Sequence, residues 1–160
     1  MTVFQKEFKV DTKEGQVSYI DITNSIHQTI TESGIQSGIC TVITAHTTCS
    51  IFFEEDTHDR DEDGVIIPPH LSADSYHYPG EKHYQEVESW PNPEEWLPNG
   101  DRSALWNGDA HLKATILGSS ETLAVVDGKL AIGKTGYVYF ADFDKTRERT
   151  RKYRVVIIGE

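Results

Sequence analysis

The stretch TLAVVDGKLAIGKTGYVYFAD (122–142), followed by YRVVIIG (153–159), decides the fold. Its β-branched and aromatic residues fall into short runs, TLAVV (122–126), KLAIG (129–133) and GYVYFAD (136–142), and the pair Asp127-Gly128 between the first two favours a tight hairpin turn. Consecutive strands with short connections predict antiparallel pairing. Upstream, ICTVIT (39–44) and CSIFF (49–53) also read as strands, interrupted by the polar tetrad AHTT (45–48). VFQKEFKV (3–10) and QVSYIDI (16–22) alternate apolar with polar around Gly15 and predict a β-hairpin. Two helices complete the set. Thr23 is the expected N-cap of a helix through Ser33, with Ile22, Ile26 and Ile30 on one face and Gly34 as the stop. NGDAHLKATILG (107–118) places Ala110, Ala114 and Leu117 on one helical face and ends at Gly118. The expected class is α+β: a mixed, mainly antiparallel sheet packed with about two helices.

The chain of 160 residues and 18.1 kDa suits one domain, 1–160. All six prolines and all three tryptophans lie between Pro68 and Trp106. That composition marks an aromatic, proline-rich insertion at about 68–106, which is expected to be ordered but irregular, with a short helix around Tyr84–Ser89. Cys40 and Cys49 sit in β-prone runs and do not make a disulfide framework, so a reducing compartment is expected. No window approaches 18 apolar residues, and MTVFQKEFKV lacks the regions of a signal peptide. The expectation is a cytoplasmic protein with no membrane partner.

The formal net charge is −11, unevenly spread. Residues 1–53 carry 3 Lys/Arg against 5 Asp/Glu, residues 54–109 carry 3 against 15, and residues 110–160 carry 9 against 6. So acidic a surface repels phosphate backbones, and no nucleic acid partner is expected. The one basic concentration is KTRERTRKYR (145–154), which reads either as solvated charge protecting an edge strand or as an anion-binding patch for a phosphate-bearing substrate. The acidic run EEDTHDRDED (54–63) lacks the spacing of a calcium-binding loop. The absence of GxSxG, Walker and GxGxxG motifs sets aside the corresponding hydrolase, kinase and dinucleotide folds.

Candidate chemistry centres on histidine. His46 breaks the strands at 39–53 beside Thr47 and Thr48, with Glu55 nine residues on; a single such histidine is also a common hydrogen-bonded structural residue. Asn107 and His111 share a helix face, although Asn107 or Asp109 could simply cap that helix. His77 lies between Tyr76 and Tyr78, and His83 follows six residues later. Three imidazoles from separate elements with a carboxylate are the donors of an open zinc-type site.

Taken together, AHTTCSIFFEED (45–56), the Tyr-His region, WNGDAHLKATILGSSETLAVVDGKLAIG (106–133) and YVYFADFDKTRERTRKYRVVIIGE (137–160) resemble the YjbQ-like family, sometimes labelled secondary thiamine-phosphate synthases. The resemblance covers nearly the whole chain. It implies an α+β fold, a homotrimer, a divalent metal such as zinc, and weak thiamine-phosphate synthase activity on small phosphorylated molecules. Carried over residue by residue, it makes His46, His77 and His111 the metal ligands, with His83 as the alternative to His77. The same correspondence gives Glu55 an acid/base role and adds Thr48, Asn107 and Asp142 to the catalytic group. The chain departs from the family pattern at His58, which stands where an aspartate is usual, and in the 33 residues between His77 and His111. It also reads Gly133-Lys134-Thr135-Gly136 where an aromatic-containing stretch is usual. The alternative to an enzyme is a non-catalytic trimeric protein that binds a metal or ligand.

Overall fold

Strands that follow one another in the chain are mostly not partners in space. The computed structural model describes residues 1–55, 108–134 and 136–160. Its elements are β1 (Thr2–Thr12), β2 (Ser18–Asp21), α1 (Thr23–Ser33), β3 (Gly38–Ile43), β4 (Cys49–Glu55), α2 (Gly108–Leu117), β5 (Ser120–Val126), β6 (Lys129–Leu130), β7 (Gly136–Asp142) and β8 (Arg149–Gly159). Among the described residues the strands form two antiparallel sheets, β1-β8-β3-β5-β6 and β2-β7-β4. The class is α+β, as expected. The insertion at 68–106, with His77, His83 and the helix expected around residue 84, lies outside the described residues, as does Asn107.

The expected hairpin of β1 with β2 does not form. β1 pairs along its whole length with β8, from Thr2 opposite Gly159 to Thr12 opposite Arg149, while β2 pairs with β7 in the other sheet. Length explains the choice: an eleven-residue strand satisfies its backbone groups against another of eleven, which a four-residue strand cannot offer. The turn between β1 and β2 is correspondingly tied outward, since Gly15, at φ 82°, donates its N–H to the Lys145 carbonyl (2.9 Å). β3 and β4 also part, one to each sheet, so AHTT is a crossover between sheets. The Asp127-Gly128 hairpin forms as expected, with φ 50° and 69° at the two turn residues, the signs of a type I′ turn.

The two sheets enclose the core, to which α1 contributes Ile26 and Ile30 and the sheets Val42, Ile51, Phe140 and Val155. α1 ends at Gly34 in the left-handed conformation (φ 69°), as its sequence predicts. Its start differs from expectation. Ile22 occupies the N-cap position without a side-chain cap, and the Thr23 N–H is taken by Asp21 Oδ1 (2.9 Å). The Thr23 hydroxyl instead accepts the Val138 N–H (2.9 Å), stitching the helix to β7. α2 lies on the outer face of the three-stranded sheet, where Ala110 and Ala114 pack with Ala141, Phe143, Tyr19 and Phe52. Leu117, expected on that buried face, is 37% exposed, because the chain there passes to the other sheet and the Ser119 carbonyl already accepts the Thr44 N–H (3.0 Å).

Candidate functional site

Along β8, the alternation that buries Ile157, Val155 and Tyr153 also turns Arg151 and Arg149 inward. At that end the filling between the sheets changes from apolar to ionic. β8 lies between β1 and β3, so the edge-strand interpretation of the basic run fails. The run is divided by the pleat: Lys152 and Arg154 face outward and pair with Glu7 at 3.0 and 3.1 Å, while Arg149 and Arg151 meet two aspartates inside.

Asp142, the last residue of β7, is fully buried, and a buried carboxylate must be satisfied. Its Oδ2 accepts from Arg151 Nε (2.6 Å) and Thr12 Oγ1 (3.2 Å). Its Oδ1 accepts from Thr48 Oγ1 (3.1 Å), the Asp144 N–H (3.1 Å) and Arg151 Nη2 (3.3 Å). The pair is bidentate, and both oxygens are saturated. Thr48, on the AHTT crossover, donates to Asp142 while accepting from Arg151 Nη2 (3.0 Å). Asp144 takes the Thr146 N–H and hydroxyl on Oδ1 (3.0 and 2.6 Å) and Arg149 Nη2 on Oδ2 (2.9 Å). Arg147 follows on the same loop, half-buried. Arg147 Nε and Arg149 Nε are buried with no acceptor among the described residues.

Two imidazoles border this cluster. His46 Nε2 accepts the Lys152 N–H (3.0 Å), which places the ring proton on Nδ1 when the ring is neutral. Burial, then the Arg151 charge, lowers the His46 pKa, with Asp142 opposing. His111, on α2, is likewise lowered by burial first, with Asp144 opposing and Arg151 reinforcing. Burial thus favours the neutral form of both rings, and the Arg151 charge acts on each, joined at His46 by Arg149 and Lys152. Cys49 lies beside Thr48 (Sγ to Oγ1, 3.8 Å) but is buried, and its thiol is pushed up to about 12, which removes it as a nucleophile at neutral pH.

The structure therefore brings His46, Thr48, Asp142 and His111 to one end of the sandwich. Glu55 is placed elsewhere. It closes β4 opposite Gly136, six residues along the strand from Cys49 opposite Asp142, or about 20 Å at the usual rise. Asn107 and His77 fall outside the described residues. Among the described residues no three His, Cys, Asp or Glu side chains are grouped to hold a metal ion. His46 Nε2 is engaged by the Lys152 N–H, so a metal at His46 would be met through Nδ1, and a further ligand beyond His46 and His111 would be needed. Sequence reasoning missed Thr12 and Asp144. It read the arginines as one basic run, either edge-strand charge or an anion-binding patch, although Arg149 and Arg151 continue the period of two that runs inward from Ile157.

The sequence profile of the family described as UPF0047 protein YjbQ-like matches residues 6–160. A UPF0047 protein of Methanothermobacter thermautotrophicus is 28% identical over 160 residues, covering 100% of this chain and 95% of that protein. One from Archaeoglobus fulgidus is 32% identical over 134 residues, covering 84% and 87%. Among solved structures, a YbjQ-like protein of Sulfolobus solfataricus superimposes with TM-score 0.60 at 25% identity, covering 99% of this chain and 100% of that one. A YjbQ/UPF0047-family protein of Clostridium acetobutylicum gives 0.59 at 28% identity, covering 94% and 99%. No helix among the described residues is long and apolar enough to cross a membrane.

Proposed function

The chain belongs to the UPF0047, YjbQ-like family, and from that premise we propose that the ionic end of its sandwich binds a small phosphorylated molecule and acts on it, with a weak thiamine-phosphate synthase-like transfer as the reaction to assay first. The observation that carries this proposal is the saturation of Asp142 and Thr48 by the Arg151 network. Their hydrogen-bonding capacity is spent on holding a guanidinium, which makes them positioning residues. The groups that stand around them are cationic or neutral: guanidiniums and the imidazoles of His46 and His111. That donor set suits oxyanions, with arginine complementary to phosphate oxygens and a neutral imidazole able to donate or accept a proton. Among the described residues, three guanidiniums, Arg147, Arg149 and Arg151, stand with two carboxylates, Asp142 and Asp144, an excess of one positive charge.

Turnover distinguishes the enzyme from a trimeric ligand-binding protein of the same shape. Incubation with a pyrimidine diphosphate, a thiazole phosphate and added divalent metal should give thiamine phosphate, with release of pyrophosphate, in wild type and neither in a His111→Gln variant. Saturable binding of either precursor with no product would favour the binding protein. Assembly belongs to the same proposal: three copies, giving three times 18.1 kDa by light scattering. The outer face of the larger sheet supports association, since Val3, Ile158, Ile39 and Ala124 align across four adjacent strands and Val3 and Ile39 are exposed.

A metal is the second reading, favoured by the burial that keeps His46 and His111 in the unprotonated form a metal requires. His77 would have to supply the third imidazole, and the ion would be divalent and zinc-like. Elemental analysis after dialysis tests this. About one equivalent per chain, lost in a His46→Ala, His111→Ala double variant, is the expected result; unchanged metal in that variant removes both residues from any metal site.

A further inference from the structure

We propose that Arg147 is the residue that grips the anion: its guanidinium, on the loop between β7 and β8, binds the phosphoryl group, while Arg149 and Arg151 act as positioning residues behind it. This rests on the proposal that the site takes a phosphorylated molecule and assigns the contact within it. The three arginines differ in how their N–H groups are used. Arg151 spends Nε and Nη2 on Asp142 and Thr48. Arg149 gives Nη2 to Asp144, although its Nε, like that of Arg147, is buried with no acceptor among the described residues. Arg147 has no hydrogen bond or ion pair to any described residue, and its Nε is buried without an acceptor.

Asp144 bears on Arg147 through its charge, while its Oδ1 accepts twice from Thr146 and its Oδ2 meets Arg149 at 2.9 Å and Arg151 at 3.7 Å. The segment carrying Arg147 is nonetheless fixed. The Lys145 carbonyl accepts the Gly15 N–H, Thr146 is bonded twice to Asp144, and β8 begins at Arg149. A cation without a partner among the described residues, on an anchored loop, is a pre-organised receptor. Burial, and then the Arg149 charge, push its guanidinium down from its ordinary value against the opposing charge of Asp144, so an arriving anion would relieve repulsion within the arginine cluster. Guanidinium N–H groups match two oxygens of a tetrahedral phosphoryl group in a bidentate contact, and such a group supplies the acceptors that Arg147 lacks.

The test titrates inorganic pyrophosphate into the full-length protein, followed by calorimetry and phosphorus NMR, with acetate as a carboxylate control. Wild type should bind pyrophosphate saturably and acetate weakly. Arg147→Gln should weaken pyrophosphate binding at least tenfold, Arg147→Lys should retain part of it, and Arg154→Gln, on the outer face, should match wild type. Because Arg147 leaves no ion-pair partner behind, Arg147→Gln should melt at or above the wild-type temperature. Pyrophosphate affinity within twofold of wild type in Arg147→Gln overturns the assignment while leaving a phosphate site in place. A tenfold loss accompanied by a clearly lowered melting temperature also overturns it, by giving Arg147 a structural role. No saturable binding by wild type overturns the assignment and the phosphate site together.

Discussion

Asp142 and Arg151 join the two sheets: the carboxylate ends β7 of the smaller sheet, the guanidinium sits on β8 of the larger, and Nε lies 2.6 Å from Oδ2. The pair is nearly dry, with side-chain exposures of 0% and 11%. At such a site the loss of one partner strands a charge, whereas the loss of both removes the problem.

Asp142→Ala or Arg151→Met alone is therefore expected to destabilise the protein by about 3–5 kcal/mol in urea denaturation. The double change Asp142→Leu, Arg151→Met should recover much of that loss and abolish pyrophosphate binding. Single variants with wild-type denaturation midpoints would mean that the pair does not hold the sheets together.

Stability should fall on mild acidification. His46 and His111 both have lowered pKa values in the folded state, so the unfolded chain binds protons that the folded chain refuses. Their contribution is complete above the ordinary histidine value of 6.5 and is lost as pH falls through the folded-state values. Thermal melts from pH 8 to 5.5 should decline, and the decline should be shallower in a His46→Gln, His111→Gln variant, in which the amide introduced by His46→Gln is intended to keep an acceptor for the Lys152 N–H. Equal slopes would sink this account.

Neither cysteine should react in the native state. Cys40 and Cys49 are buried, and desolvation pushes each thiol up to about 12. A chromogenic disulfide reagent at pH 8 should find no reactive thiol in folded protein and both after denaturation. A fast-reacting thiol in the native protein would contradict this.

Thr23→Val should cost about 1–3 kcal/mol, since it leaves the Val138 N–H without its acceptor in a buried place. Thr23→Ser should retain most of the stability. Comparison of the two by denaturant midpoint isolates the hydroxyl from the loss of shape.

The elements were legible in the sequence because they depend on local pattern. The Asp127-Gly128 turn, the Gly34 stop and the isoleucine face of α1 are all short-range signals, and all are present in the fold. Partner choice was not legible. Gly15 suggested a hairpin, but matched length drew β1 to β8, a relation between segments more than 130 residues apart. In the same way, polar AHTT marked the place of His46 and Thr48 without disclosing a crossover between sheets. The arginines were visible as charge. Their division into inward and outward sets depended on extending the pleat of VVII back through Tyr153, a step that the strongly polar composition of 145–154 discouraged.

The central position of β8 also bears on how the chain is made. Among the described residues, the other strands of the larger sheet precede it in the sequence, yet β1 and β3 are joined through it. On the ribosome, β1 must wait without its partner until residues 149–159 have emerged, its row of backbone donors and acceptors open to any passing edge. Assembly of that sheet is accordingly a late event of high contact order, and the arginine cluster comes into being in the same step. A nascent chain arrested before β8 would carry His46, His111 and Arg147 but not Arg149 and Arg151, which give the histidines their surroundings.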